Sequence, residues 1–106
     1  MKYKLYNLEI TVIGDKNTFN CSHEVGDTLV IEGENLSFKA GTVLFSHYAL
    51  ATLMPYIAAK QRADDVRDWM SYETDIACPD PQCGARFRFE KTGKQEYKYA
   101  PSELHD

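Results

Sequence analysis

The chain has 106 residues, enough for one domain that buries roughly 60 to 70 % of the surface its unfolded chain exposes. A hydrophobic fraction of 43 %, with seven Tyr, five Phe and one Trp, excludes a disordered chain, because burial on that scale offsets the entropy of ordering. Sixteen acidic against twelve basic residues give a formal charge of −4, the wrong sign for general attraction to a phosphate backbone, so nucleic acid is not the expected partner.

No apolar run long enough for a signal-peptide core or a bilayer span follows Met1, and this points to a soluble protein of the cytoplasm with no membrane partner. Three cysteines, Cys21, Cys78 and Cys83, are too few and odd in number for a secreted disulfide scaffold. Reduced thiols or metal ligands suit the set better.

From Tyr6 to Val12 apolar residues alternate with Asn7, Glu9 and Thr11, the pattern of a half-buried strand that ends at the turn-forming Gly14-Asp15-Lys16-Asn17. A loop carrying Cys21-Ser22-His23 follows. Thr28 to Glu32 reads as a second strand closed by Gly33-Glu34-Asn35. Thr42 is a fair helix N-cap, and the run to about Lys60 contains Leu44, Ala51, Met54, Ile57 and Ala58, which predicts a buried central helix. Pro55 inside it predicts a kink or break near Met54, and Tyr48 and Tyr56 are expected in the core.

Gln61 to Trp69 reads as a short second helix with Val66, Trp69 and Met70 as its buried stripe. Tyr72 to Ile76 and Arg86 to Glu90 alternate as two last strands, joined by Cys78-Pro79-Asp80-Pro81-Gln82-Cys83-Gly84 as an enlarged hairpin tip. The fold class is therefore α+β: a small, mostly antiparallel sheet in the order β-β-α-α-β-β, with a kinked central helix on one face. Residues 1–93 form the expected compact domain, and 94–106 a polar, loosely ordered tail.

The Cys78 to Cys83 segment resembles one knuckle of a zinc site, in which two thiolates are presented from a tight turn and a glycine after the second relaxes the backbone. Tetrahedral structural zinc takes four ligands, and Cys21 with His23 would complete the set Cys21, His23, Cys78 and Cys83. Two other readings stay open. The cysteines are small buried residues shaping a hairpin, or Cys83, near Arg86 and Arg88, is a reactive thiol with His23 or His47 as its base. His47 in the apolar helix is otherwise expected as a hydrogen-bonded core residue.

Arg86 and Arg88 beside Phe87 and Phe89 form a strip that could stack bases, but strand alternation explains it more simply. No glycine-rich phosphate loop, nucleophile elbow or Ser, His, Asp set is present.

In the order of these features the chain resembles a family of short bacterial and archaeal proteins of about this length that have no established activity. The likeness lies in the Leu8-Glu-Ile-Thr-Val12 strand, Cys21 followed by Val25-Gly26-Asp27, the helix opening Phe45-Ser46-His47-Tyr48-Ala49-Leu50, and Cys78 before Arg86-Phe87-Arg88-Phe89. That family pairs an early cysteine before a Gly-Asp step with a late cysteine before the last strand, places that Cys21 and Cys78 occupy. Where the family often carries cysteine and tryptophan at the helix opening, this chain has Phe45 and Tyr48, and Cys83 has no matched position. The resemblance implies a small α+β fold and carries no activity with it.

Two functions are expected from this reading. The first is a small soluble binding or accessory module, such as an enzyme subunit, with a structural zinc site and a protein partner or self-association through an edge strand or the Phe87 and Phe89 face. The alternative is a small thiol- or metal-dependent enzyme acting on a small metabolite, with Cys21, Cys78, His23 or His47 in its site.

Overall fold

A computed structural model describes residues 2–99. It holds strands β1 (Lys2–Ile13), β2 (Thr28–Glu32), β3 (Asn35–Phe38), β4 (Thr74–Ala77) and β5 (Arg86–Lys98), with one helix, α1 (His47–Arg62), between β3 and β4. The strands lie in the order β3-β2-β1-β5-β4, and every neighbouring pair is antiparallel. The class is α+β as expected, but the order is β-β-β-α-β-β rather than β-β-α-α-β-β.

β1 and β5 form the spine of the sheet, paired from Lys2 opposite Lys98 to Ile13 opposite Arg86. On β1, Leu8, Ile10 and Val12 point to one face and meet Leu29 and Ile31 of β2 and Phe87 and Phe89 of β5. Thr11, Glu9 and Arg88 lie on the other face, so among the described residues the sheet is covered on one side only. The pairing slips by one residue where Asn7 and Leu8 face Gly93 and Lys91, leaving Thr92 as the additional residue of a β-bulge on β5. β5 thus runs through Gly93, where the domain was expected to end, to Lys98; residues 100–106 of the expected tail lie outside the described residues.

α1 presents one buried stripe, Ala49, Leu53, Ile57 and Lys60, at helical spacing onto the apolar sheet face. Burying each large aliphatic or aromatic side chain of this layer is worth about 1.5 to 3 kcal/mol. The helix starts four residues later than expected. Ser46 is the N-cap, its Oγ accepting from the Ala49 N–H at 3.3 Å, while the Thr42 hydroxyl accepts from the Thr28 N–H at 2.8 Å and serves the end of β2 instead. Tyr48 is accordingly exposed rather than in the core, whereas Tyr56 packs against it. α1 is continuous through Pro55, with no break near Met54. Pro55 and Ala51, whose carbonyl lacks the Pro55 N–H, both lie on the exposed side, where that carbonyl is open to solvent.

The second helix expected at Gln61 to Trp69 is absent; beyond Arg62 the described chain has turns and a single 3-10 turn at Trp69–Ser71. Aspartates compete locally with helix formation. The Asp65 carboxylate accepts from the Arg67 N–H at 2.9 Å and the Asp68 carboxylate from the Met70 N–H at 3.0 Å. Val66 and Trp69 are exposed, not a buried stripe. The segment is anchored instead by Lys60, only 1 % exposed, whose Nζ donates to the Met70 and Tyr72 carbonyls and to Thr74 Oγ1 at 2.6 to 3.3 Å.

Phe87 and Phe89 are 0 % and 1 % exposed under α1, so their face is closed to self-association and to base stacking. Arg88, on the opposite face, is engaged by Asp75 and Glu73. Among the described residues no helix is long and apolar enough to cross a membrane.

Candidate functional site

The loop after β1 and the tip between β4 and β5 are built to touch. The tip closes through the Cys78 N–H to the Ala85 carbonyl at 3.2 Å, and within it the Cys83 N–H reaches the Asp80 carbonyl at 3.0 Å. The Asp80 carboxylate holds the turn by accepting from the Gln82 N–H at 2.9 Å. Gly84 then meets the short 3-10 turn Lys16–Thr18: its N–H donates to the Thr18 carbonyl at 2.9 Å, and a Cβ on it would stand 1.9 Å from Thr18 Oγ1. Only glycine allows that approach. Asn20 ties the two loops again, through its side-chain amide to Asp80 at 3.3 Å and its backbone N–H to Cys83 Sγ at 3.2 Å.

This contact brings Cys21 to the tip, with its sulfur 3.5 Å from that of Cys83. Cys78 lies near enough to both for their thiolate charge to raise its pKa. All three cysteines of the chain therefore converge from segments more than fifty residues apart in sequence.

The backbone N–H groups of His23, Asp80 and Ala85 act to lower the pKa of the Cys21, Cys78 and Cys83 thiols respectively. Such donors favour the thiolate. For Cys83, burial alone would raise the pKa, but the N–H groups of Ala85, Asn20 and Cys21 and the Cys21 thiol outweigh it and bring the value to about 7. Burial pushes the Cys21 and Cys78 thiols up, more than the His23 and Asp80 N–H groups lower them, and the neighbouring Cys83 adds to the rise. Cys83 is therefore the first of the three thiols to ionise as pH rises.

Cys83 is 2 % exposed, whereas Cys21 and Cys78 are half-buried and open into a cleft of about 550 Å³. Ser46, His47 and Tyr48, at the start of α1, line the same cleft, as does Asp80. His47, expected as a core residue, is exposed and belongs to this cleft.

The His23 ring lies elsewhere than its place beside Cys21 suggested. It is 2 % exposed and packs edge-on to Phe45 and Phe87, with ring centres 4.5 and 5.4 Å away. Neither ring nitrogen has a hydrogen-bond partner. Burial lowers its pKa, Asp27 opposing and Lys16 adding to the shift, so the ring is neutral. Its backbone, rather than its imidazole, serves the site.

Among the described residues no three His, Cys, Asp or Glu side chains already stand at distances that would enclose a metal ion. The donor set nonetheless fits a thiophilic cation. With Zn–S bonds of about 2.3 Å, the edge of a tetrahedron is about 3.8 Å, close to the Cys21 to Cys83 separation of 3.5 Å. Comparison with protein-family models, curated proteins and solved structures gives no match for this chain.

Proposed function

We propose that this protein is a small binding or accessory module in which Cys21, Cys78 and Cys83 hold a zinc ion as thiolates where the β1–β2 loop meets the β4–β5 tip. The observation that carries the reading is the meeting of Cys21 with the Cys78–Cys83 tip, where the Cys21 and Cys83 sulfurs lie 3.5 Å apart, the Asn20 N–H donates to Cys83 Sγ at 3.2 Å, and backbone N–H groups favour the thiolate of each cysteine. A metal-binding cysteine must be deprotonated, and these donors reduce the cost of placing several thiolates together. Cys21 and Cys78 are half-buried, so turning them about χ1 toward a shared ion meets little packing resistance. A structural zinc contributes on the order of 10 kcal/mol of folding free energy in small domains, which suits a chain with one thin core.

An accessory role is supported by the edges of the sheet. Among the described residues β3 and β4 each have a neighbour on one side only, and the other side of each offers backbone donors and acceptors to a partner chain. The open cleft beside Cys21 and Cys78 favours the second reading, a small thiol- or metal-dependent enzyme acting on a small metabolite. A zinc ion with a water-filled fourth position belongs to that reading, and one closed by a fourth protein ligand belongs to the first.

The test is elemental analysis of untagged protein prepared under reducing conditions with zinc present, alongside a Cys21→Ser, Cys78→Ser, Cys83→Ser variant. One zinc per chain in the parent and none in the variant is the expected outcome. A folded parent that takes up no zinc overturns the proposal.

A further inference from the structure

We infer that His47, not His23, supplies the fourth ligand, so that the site is a closed Cys21, His47, Cys78, Cys83 centre that also ties down the start of α1. The inference rests on the thiolate reading above and extends it to a residue on a third element of the fold.

Three thiolates leave one tetrahedral position, and the described residues offer two imidazoles, His23 and His47. To reach an ion among the sulfurs, His23 would have to leave the contacts with Phe45 and Phe87 that hold it 98 % out of solvent. Of its two unbonded nitrogens, the one that carries the proton can direct its N–H at an aromatic face, since the ring packs edge-on to Phe45 and Phe87. His47 is exposed and forms a wall of the same cleft that Cys21 and Cys78 open into. Its described ring contact is with Tyr48, itself 70 % exposed, so rotation toward the cysteines disturbs no core packing.

Asp80 is the other donor at the cleft, and it is already committed to Asn20 and to the Gln82 N–H. Charge also favours His47. Zinc with three thiolates and a neutral imidazole carries a net charge of −1, and His47 is the first residue of a sixteen-residue helix, whose N-terminal dipole stabilises negative charge.

The test uses the full chain, reduced, loaded with Co(II) for its optical spectrum and with Zn(II) for affinity by chelator competition, in the parent, His47→Ala and His23→Leu. The parent should show intense thiolate-to-cobalt charge transfer and tetrahedral ligand-field bands. His47→Ala should keep the charge transfer, alter the ligand-field bands, and weaken zinc binding by more than the roughly 10- to 100-fold typical of losing an outer-shell partner. His23→Leu should bind as the parent does. Nitrogen NMR of the zinc-loaded parent gives an independent reading, with the His47 ring expected to show one metal-bound nitrogen. His47→Ala with unchanged spectrum and affinity, or a loss confined to His23→Leu, overturns the inference while leaving the cysteine site standing. A parent with no thiolate-to-cobalt band overturns the thiolate reading itself.

Discussion

Gly84→Ala is the most informative single change to the scaffold of the site. An added Cβ would stand 1.9 Å from Thr18 Oγ1, 2.6 Å from Thr18 Cβ and 3.3 Å from the Thr18 carbonyl oxygen. Rotating the threonine does not relieve this. Its Oγ1 is held by the Asp15 carbonyl at 2.6 Å, and Cβ stays in place whatever χ1 does. The backbones must part by about 1 Å to restore a carbon–carbon separation of about 3.5 Å. Overpacking of this kind costs about 1 to 3 kcal/mol, and stretching the Gly84 N–H to Thr18 carbonyl bond adds about 1 kcal/mol. The sum, about 2 to 4 kcal/mol, is a large share of the 5 to 15 kcal/mol typical of a domain. Urea unfolding of metal-free protein should show a lower midpoint with an unchanged slope, and Tm should fall by about 4 to 8 °C for each kcal/mol. Adding Thr18→Gly removes the clashing atoms, so the double variant should recover more than about 1 kcal/mol relative to additivity. A Gly84→Ala protein within about 0.5 kcal/mol of the parent would refute the close approach that brings Cys21 to Cys83.

Lys60→Met should destabilise by about 2 to 3 kcal/mol, because the Met70 and Tyr72 carbonyls lose a buried donor, and hydrogen exchange should quicken first between residues 63 and 74. Two bonds from the Arg88 guanidinium, at 2.8 and 3.0 Å, hold the Asp75 carboxyl below its ordinary value of 3.8. The stability it gives is complete above that value and is lost as pH falls through the lowered one. The stability difference between parent and Asp75→Asn should stay under about 1 kcal/mol for so exposed a pair and vanish between about pH 5 and pH 1. In metal-free reduced protein above pH 7, iodoacetamide followed by mass spectrometry should label Cys21 and Cys78 before Cys83. Although Cys83 is the most acidic of the three, with a pKa of about 7, at 2 % exposure it lacks access for the reagent.

What was legible in the sequence, and what was not, follows from the range of the interactions. β2 matches its apolar alternation, and β1 matches from Tyr6 to Val12, but Lys2 to Leu5 joins the strand only because Gln95 to Lys98 runs alongside it. Lys2-Tyr3-Lys4-Leu5 alternates in the opposite phase to Tyr6, Leu8, Ile10 and Val12, and Gln95 to Lys98 has Tyr97 as its one apolar residue. β3 was missed although its signal was present: Gly33, at φ +61, opens a two-residue turn in the position that a type II′ hairpin gives to glycine. Its Leu36 and Phe38 are exposed, so the alternation marks no core face. The turn residues between Cys78 and Cys83 marked the hairpin tip, but nothing in the sequence placed Cys21 against it; Gly84 and Asn20, which join the two loops, do so. His47 was misread because its place depends on the cap. A helix opening at Thr42 puts it within the second turn, while opening at Ser46 makes it the first helical residue, beside the loops.

X-ray absorption at the zinc edge of the loaded, reduced protein tests the central claim most directly. Three sulfur scatterers at about 2.3 Å with one nitrogen at about 2.0 Å is the expected first shell. A shell of nitrogen and oxygen alone would contradict the thiolate site, whatever the stoichiometry of the bound metal.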